Sequence, residues 1–154
     1  MGNSERFKII PEVFLVLVKD EKILMLRRFQ TGYEDGNYGM VAGHKDGNET
    51  MRQAIAREAR EEAGIEINPL ELKHVLTLHR WCGDHERVGF YFTAEIWDGE
   101  IKNAEPDKCD DLSWFSINQL PENTIPFIRA AIDCYLKGEK YCEFGWNKQI
   151  LKKL

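Results

Sequence analysis

The sequence predicts an α/β fold, a three-layer α/β/α sandwich in which helices cover both faces of a mixed β-sheet. Short runs rich in β-branched and aromatic residues, each bounded by turn signals, recur along the chain. Two longer stretches between them carry helical periodicity with start and stop signals. The length of 154 residues, with 43% hydrophobic and 31% charged residues, gives one domain a real core and is too short for two ordinary ones. Residues 1–154 are therefore expected to form a single domain, and strands mixed with two long helices suggest the layered arrangement.

Val13–Val18 is the first β-rich run, Lys19–Lys22 a turn and Ile23–Arg28 a second run, so the three are expected to form a hairpin. A loop rich in glycine and acidic residues, Thr31–Asn37, precedes a strand over Tyr38–Gly43. Asp46-Gly47-Asn48 reads as a turn with Asn48 as the N-cap of a helix running from about Glu49 to Ala63, and Gly64 can take the left-handed conformation that ends it. Leu70–Arg80 and Val88–Trp97 are expected as strands joined by a turn around Gly83-Asp84. A loop over Asp98–Asp110, a short strand over Leu112–Phe115 and a helix over about Thr124–Lys137 complete the chain. No internal repeat, low-complexity tract or linker interrupts it.

The first helix is the informative one. At 3.6 residues per turn, Met51, Ile55, Glu58 and Glu62 share one stripe, with Glu61 beside it. The stripe begins apolar and turns acidic. Carboxylates that face protein rather than water are costly unless something positive meets them, an arginine, a lysine or a divalent metal. Three glutamates on adjoining positions suit an oxygen-ligand site for a hard cation such as magnesium. The bland alternative is a solvated face with pairs such as Arg57 to Glu61. Against it, the opposite side of the helix is already polar, with Glu49, Arg52, Gln53, Arg60 and Arg57 spread round it. Ala54, Ala56, Ala59 and Ala63 meanwhile suit close packing against a neighbour. Just upstream, Gly43 permits a tight approach of backbone to ligand.

A formal net charge of −5 gives no electrostatic reason to bind duplex nucleic acid or an anionic membrane, so neither is expected as a partner. An acidic protein that handles phosphates needs metal or local arginines to do so. No apolar run approaches a membrane span, the first residues lack the apolar core of a signal peptide, and Arg6 stands where a myristoylation motif at Gly2 would want serine or threonine. A cytoplasmic protein is expected. Cys82, Cys109, Cys134 and Cys142 form no Cys-x-x-Cys pair, so reduced thiols are expected rather than a zinc or redox site.

Gly43, five residues, Glu49, seven residues, Arg57-Glu58-Ala59, one residue, Glu61-Glu62, one residue and Gly64-Ile65 resemble the box of the Nudix hydrolases at every defining position, and the surrounding strands and helices resemble that fold. The resemblance implies a loop-helix-loop catalytic module and a magnesium cofactor, with manganese as an alternative. It implies metal ligation by Glu58, Glu62 and Glu61, with Glu61 alternatively the base for the attacking water and Arg57 the partner that orients a glutamate. Sequence leaves the base open within the trio, because coupled carboxylates share their protons. The loop Trp97–Glu105 resembles one in the MutT branch that brings a fourth carboxylate to the metals, which points to Glu105, with Glu100, Asp107, Asp110 and Asp111 as rivals. Arg28 matches a phosphate-contacting position of that branch, and its planar donor fork suits phosphate oxygens; the alternative is that one of Arg27 and Arg28 pairs with an acid. Tyr38, Trp81, Phe90, Tyr91, Phe92 and Phe127 are candidates for a base-stacking wall, of which one or two are expected to serve. His79 and His85, at a hairpin tip, are expected to be surface or packing residues.

Departures from the family pattern bear on the substrate. Val41-Ala42-Gly43 stands where many members have Pro-Gly-Gly, so a backbone contact of the first glycine is expected to change. Arg129 falls near the place of a base-reading asparagine in the oxidised-guanine branch, which argues against 8-oxoguanine. Arg80–Glu86 lacks the proline or tyrosine that marks hydrolases of ADP-ribose or dinucleoside polyphosphates. The expectation is magnesium-dependent hydrolysis of a phosphoanhydride in a nucleoside diphosphate derivative, first a nucleoside triphosphate giving nucleoside monophosphate and pyrophosphate, by a protein for which a homodimer fits the family. The alternatives are a nucleotide sugar or ADP-ribose as substrate, a non-catalytic nucleotide sensor, and an isomerase of isoprenyl diphosphates, for which none of the four cysteines has the expected context.

Overall fold

The computed structural model describes residues 5–146, so Gly2 lies outside the described residues. The strands are β1 (Ile10–Leu15), β2 (Val18–Lys19), β3 (Lys22–Arg28), β4 (Tyr38–Gly39), β5 (Ala42–His44), β6 (Lys73–Trp81), β7 (Glu86–Thr93), β8 (Cys109–Ser116) and β9 (Tyr141–Phe144); the helices are α1 (Met51–Ala63) and α2 (Pro126–Leu136), with a 3-10 turn at Pro69–Glu71. Five strands form a mixed sheet in the order β5-β1-β7-β6-β9, with β1 parallel to β7 and β6 parallel to β9. Helix α1 packs against β1 and β5, and α2 against β6 and β9.

Two-residue alternation along β1 explains the layering. Val13 and Leu15 point to the core under α1, where Ala54, Ile55, Ala56, Ala59 and Ala63 meet them, while Phe14 and Val16 point to the core under α2, with Tyr91, Phe127, Ile128 and Ile132. The mixed sheet between helix layers is as the sequence predicts. The hydroxyl of Tyr91 is the one buried side-chain polar group without a hydrogen bond among the described residues.

A second, antiparallel sheet was not expected. In it β3 pairs with β2, β4 and β8. The apolar run Val13–Val18 is not one strand of a hairpin: β1 ends at Leu15, and after Val16 and Leu17 the chain enters the second sheet as β2. Only β2 and β3 form the hairpin, across Asp20 and Glu21, both at positive φ (51° and 58°), the handedness a two-residue turn needs. The expected strand over Tyr38–Gly43 likewise divides, β4 pairing with β3 and β5 with β1. Both runs are buried on both faces, so their hydrophobicity carries no sign of the change of sheet. Strand β9 was also unforeseen.

Helix α1 starts two residues later than expected. Its N-cap is Thr50, whose hydroxyl accepts from the Gln53 amide while the Gln53 side chain accepts from the Thr50 amide. Asn48, expected as the cap, sits instead at φ 62° in the preceding turn. Gly64 ends the helix at φ 68°, as expected. Among the described residues no helix is long and apolar enough to cross a membrane.

Candidate active site

Helix α1 turns its glutamates toward the end of β3. Ile55 is fully buried, and one turn on, the same stripe presents Glu58 and then Glu62. Glu62 is half-buried, and its desolvation, reinforced by the charges of Glu58 and Glu105, pushes its carboxyl up to about 8. The Ala42 amide, in the place of the altered first glycine, donates to it at 3.0 Å. Burial also raises Glu58, against the opposing pull of Arg57.

Arg57 does not lie on the solvent side of the helix as the wheel suggests. Its guanidinium binds both oxygens of Glu49 (2.9 and 3.2 Å), the His44 carbonyl (3.1 Å), Glu58 (2.8 Å) and Glu61 (3.3 Å). Glu49 is drawn inward with it, because the loop before the helix folds back over this face. Gly43 lies directly beneath: a Cβ there would stand 1.9 Å from Oε1 of Glu58, so the close approach that glycine permits is that of the carboxylate.

Glu58, Glu61, Glu62 and Glu105 line one cavity of about 390 Å³ with Arg28 and Lys108. Of the rivals for the fourth acid, Asp110 holds Arg27 through two hydrogen bonds (2.7 and 3.2 Å), Asp111 accepts from Tyr38 and Ser113, and Glu100 and Asp107 are exposed. The Arg27-Arg28 pair thus divides, and Arg28 is the one that reaches the cavity, steadied by the Tyr33 carbonyl (2.7 Å) and the Thr31 hydroxyl (3.0 Å). Among the described residues no three acidic, histidine or cysteine side chains form a closed cage. Arg57 draws Glu58 and Glu61 to itself, and Lys108 takes Glu105 at 2.8 Å. The donor set nevertheless fits a hard divalent cation. Four carboxylates face two cations in one cavity, a surplus of negative oxygen donors that a divalent cation would neutralise.

Arg28 also borders a second cavity, whose wall contains Phe127 and Tyr33. Phe127 is itself buried, edge-on to Phe14, with the Arg80 guanidinium 3.6 Å above its ring, and Trp81 stands on the rim. The other stacking candidates are spent in packing: Tyr38 against Phe115, Tyr91 stacked on Phe14, and Phe90 and Phe92 against the α1 core. Arg129 turns to the Pro121 carbonyl (2.5 Å). His79 pairs with Glu86 and packs on Trp146, and His85 accepts from Arg87, both in structural contacts.

Sequence reasoning missed Glu12, Arg80 and Arg87. Arg80 is 7% exposed and binds Glu12 at 2.9 Å; Arg87 binds the same carboxylate at 2.6 Å. Period two offered a signal, since Glu12 shares a face with Phe14, and Arg80 with Leu78, so charges sit in otherwise apolar series. Their convergence depends on register, which opposes Arg80 to Arg87 and Glu12 to Gly89.

A family model described as the NUDIX domain matches residues 9–133. The curated relatives include the NAD-capped RNA hydrolase NudC of Stutzerimonas stutzeri, 30% identical over 74% of this chain and 39% of that protein, and the NudC of Pseudomonas aeruginosa strain LESB58, 30% identical over 88% of this chain and 47% of that protein. The chain thus spans less than half the length of these relatives. Among solved structures, the MutT NUDIX hydrolase from Burkholderia pseudomallei superposes with a TM-score of 0.74 at 25% identity, covering 82% of this chain and 97% of that one.

Proposed function

The chain belongs to the Nudix family, and from that premise we propose that it hydrolyses a phosphoanhydride bond in a nucleoside diphosphate linked to another moiety, with magnesium as cofactor. The observation that carries the reading is the gathering of Glu58, Glu61, Glu62 and Glu105 in one cavity with Arg28. Glu58, Glu62 and Glu105 would hold the metal, with manganese as its substitute. When bound, such an ion neutralises phosphate oxygens and lowers the pKa of a water.

The chain's own residues supply the rest. Arg28, already oriented by Tyr33 and Thr31, offers its fork to a phosphate oxygen. Glu61 is half exposed at the cavity wall and takes the proton of the attacking water. Arg57 positions Glu58 and Glu61 while Gly43 leaves room for Glu58. Phe127, covered by the Arg80 guanidinium, would back the wall against which the non-reacting half of the substrate lies.

A nucleoside triphosphate, cleaved to monophosphate and pyrophosphate, is the simplest substrate of this class. A dinucleotide joined through a diphosphate is the second reading. It is favoured by two cavities that meet at Arg28, one acidic and one aromatic and basic, and by the named activity of the NudC relatives. Nucleic acid bearing such a cap enters as a substrate only under this second reading.

The test is release of phosphate, pyrophosphate or monophosphates from nucleoside triphosphates, NADH, ADP-ribose, nucleotide sugars and dinucleoside polyphosphates, with and without magnesium. Turnover that needs the metal and disappears in Glu62→Gln, whose circular dichroism stays native, is expected. Undiminished turnover in Glu62→Gln overturns the metal assignment, and silence across the panel favours a nucleotide-binding sensor.

A further inference from the structure

The cavity beyond Arg28 carries charge that the hydrolytic step does not use. Arg80 and Arg87 converge on one carboxylate, that of Glu12. One carboxylate neutralises one guanidinium, so this pair keeps a positive charge; Arg28, which borders the same cavity, is turned to the carboxylates of the first one. Glu12 and Glu34 are the carboxylates on the wall of this cavity, and Glu34 accepts from the Asn37 side chain at 2.7 Å.

The donors of Arg80 are unevenly used. Its Nη2 serves both oxygens of Glu12 at 2.9 and 3.3 Å, while Nη1 has the Tyr33 hydroxyl at 3.5 Å, the outer limit of a hydrogen bond. A guanidinium this buried ordinarily spends its donors more fully. Helix α2 begins on the same wall, and its first turn has no side-chain cap: Ile125 holds the N-cap position and Pro126 follows. Two arginines that share one carboxylate, one of them buried with a donor only loosely held, have one requirement in common, an anion.

We propose that this cavity binds an anionic group, a phosphate ester or a carboxylate, on the half of the substrate that does not react, with Arg80 and Arg87 as its contacts. The substrate class is then a dinucleotide bearing an acidic substituent beyond its diphosphate. The inference rests on the dinucleotide reading of the site. Arg80 is locked by Glu12 and Phe127, and the more exposed Arg87 is the adjustable member of the pair.

Two ligand pairs that each differ by one anionic group separate the sources. NADP exceeds NAD by a phosphate ester, and nicotinic acid adenine dinucleotide replaces the carboxamide of NAD by a carboxylate. Dissociation constants are measured by calorimetry with magnesium in the Glu62→Gln protein, where ligand is not consumed, and turnover is followed in parallel in the wild type. At least one anionic partner is expected to bind about tenfold more tightly than NAD. Arg87→Ala should abolish that preference and Arg87→Lys retain part of it. Equal affinity within both pairs, or a preference that survives Arg87→Ala, overturns the proposal. The hydrolase reading fails separately, by absence of turnover of every substrate in the wild type.

Discussion

A side chain at Gly43 and the carboxylate of Glu58 cannot occupy the same space, since a Cβ would lie 1.9 Å from Oε1. The obstacle is the tip of a flexible side chain, so the backbone of β5 has no need to move. Gly43→Ala should leave the melting temperature nearly unchanged while expelling Glu58 from its place beside Arg57. Turnover is expected to fall by at least about tenfold, because misplacing one ligating group by an ångström costs that much or more. Parallel thermal melts and magnesium titrations of activity check this; full activity in the variant would remove Gly43 from the site.

Arg57 ties the loop before α1 to the helix through Glu49 and the His44 carbonyl, and ties Glu58 and Glu61 to each other. Arg57→Ala should therefore destabilise the fold by about 1–3 kcal/mol as well as reduce turnover, since several partly buried acceptors lose their donor together. Lysine cannot reproduce a fork bound to both oxygens of Glu49 and should recover little. Urea midpoints of the two variants against wild type decide the matter.

The hydroxyl of Tyr91 is buried without a partner, and burial holds its pKa well above the usual tyrosine value. Tyr91→Phe removes the unpaired group and keeps the ring stacked on Phe14 at 4.4 Å. Stability is expected to be equal or higher, by up to about 1 kcal/mol. A clear loss in denaturant melts would mean that the hydroxyl has a partner in solution.

Tyr38 is one group whose titration should weaken the fold in alkali. Burial first, and then its bond to Asp111, push its hydroxyl from 10.0 up to about 12. A folded pKa above the unfolded one means that the folded chain holds the proton more tightly. The contribution is complete below pH 10 and is lost as pH climbs from 10 to about 12. The slope of unfolding free energy over that window should be shallower in Tyr38→Phe than in wild type.

How much of this was legible in the sequence depends on whether one element or several decide the matter. Glu58 and Glu62 could be read from α1 alone, because a helix fixes which residues share a face. The direction of Arg57 could not be read there, though the family resemblance named it as the partner of a glutamate, because that direction is set by Glu49 and the loop that folds back to it. The division of Val13–Val18 between two sheets escaped notice because every residue of the run is buried or nearly so, and apolar periodicity has then nothing to distinguish. The pairing of Arg80 and Arg87 with Glu12 requires three strands in register, information no single segment contains.

The two places where the chain crosses between sheets lie side by side, for the Leu15 amide donates to the Val41 carbonyl at 2.9 Å just where both runs divide. Arg28 rides on the second sheet, while α1 and its glutamates are mounted on the first. The gap between phosphate-gripping cation and carboxylates is thus spanned like that of a pair of callipers, with the pivot at residues 15–17 and 40–41. Closely packed residues at that pivot, Val16, Leu17, Met40 and Val41, all 3% exposed or less, keep the jaws at a fixed opening.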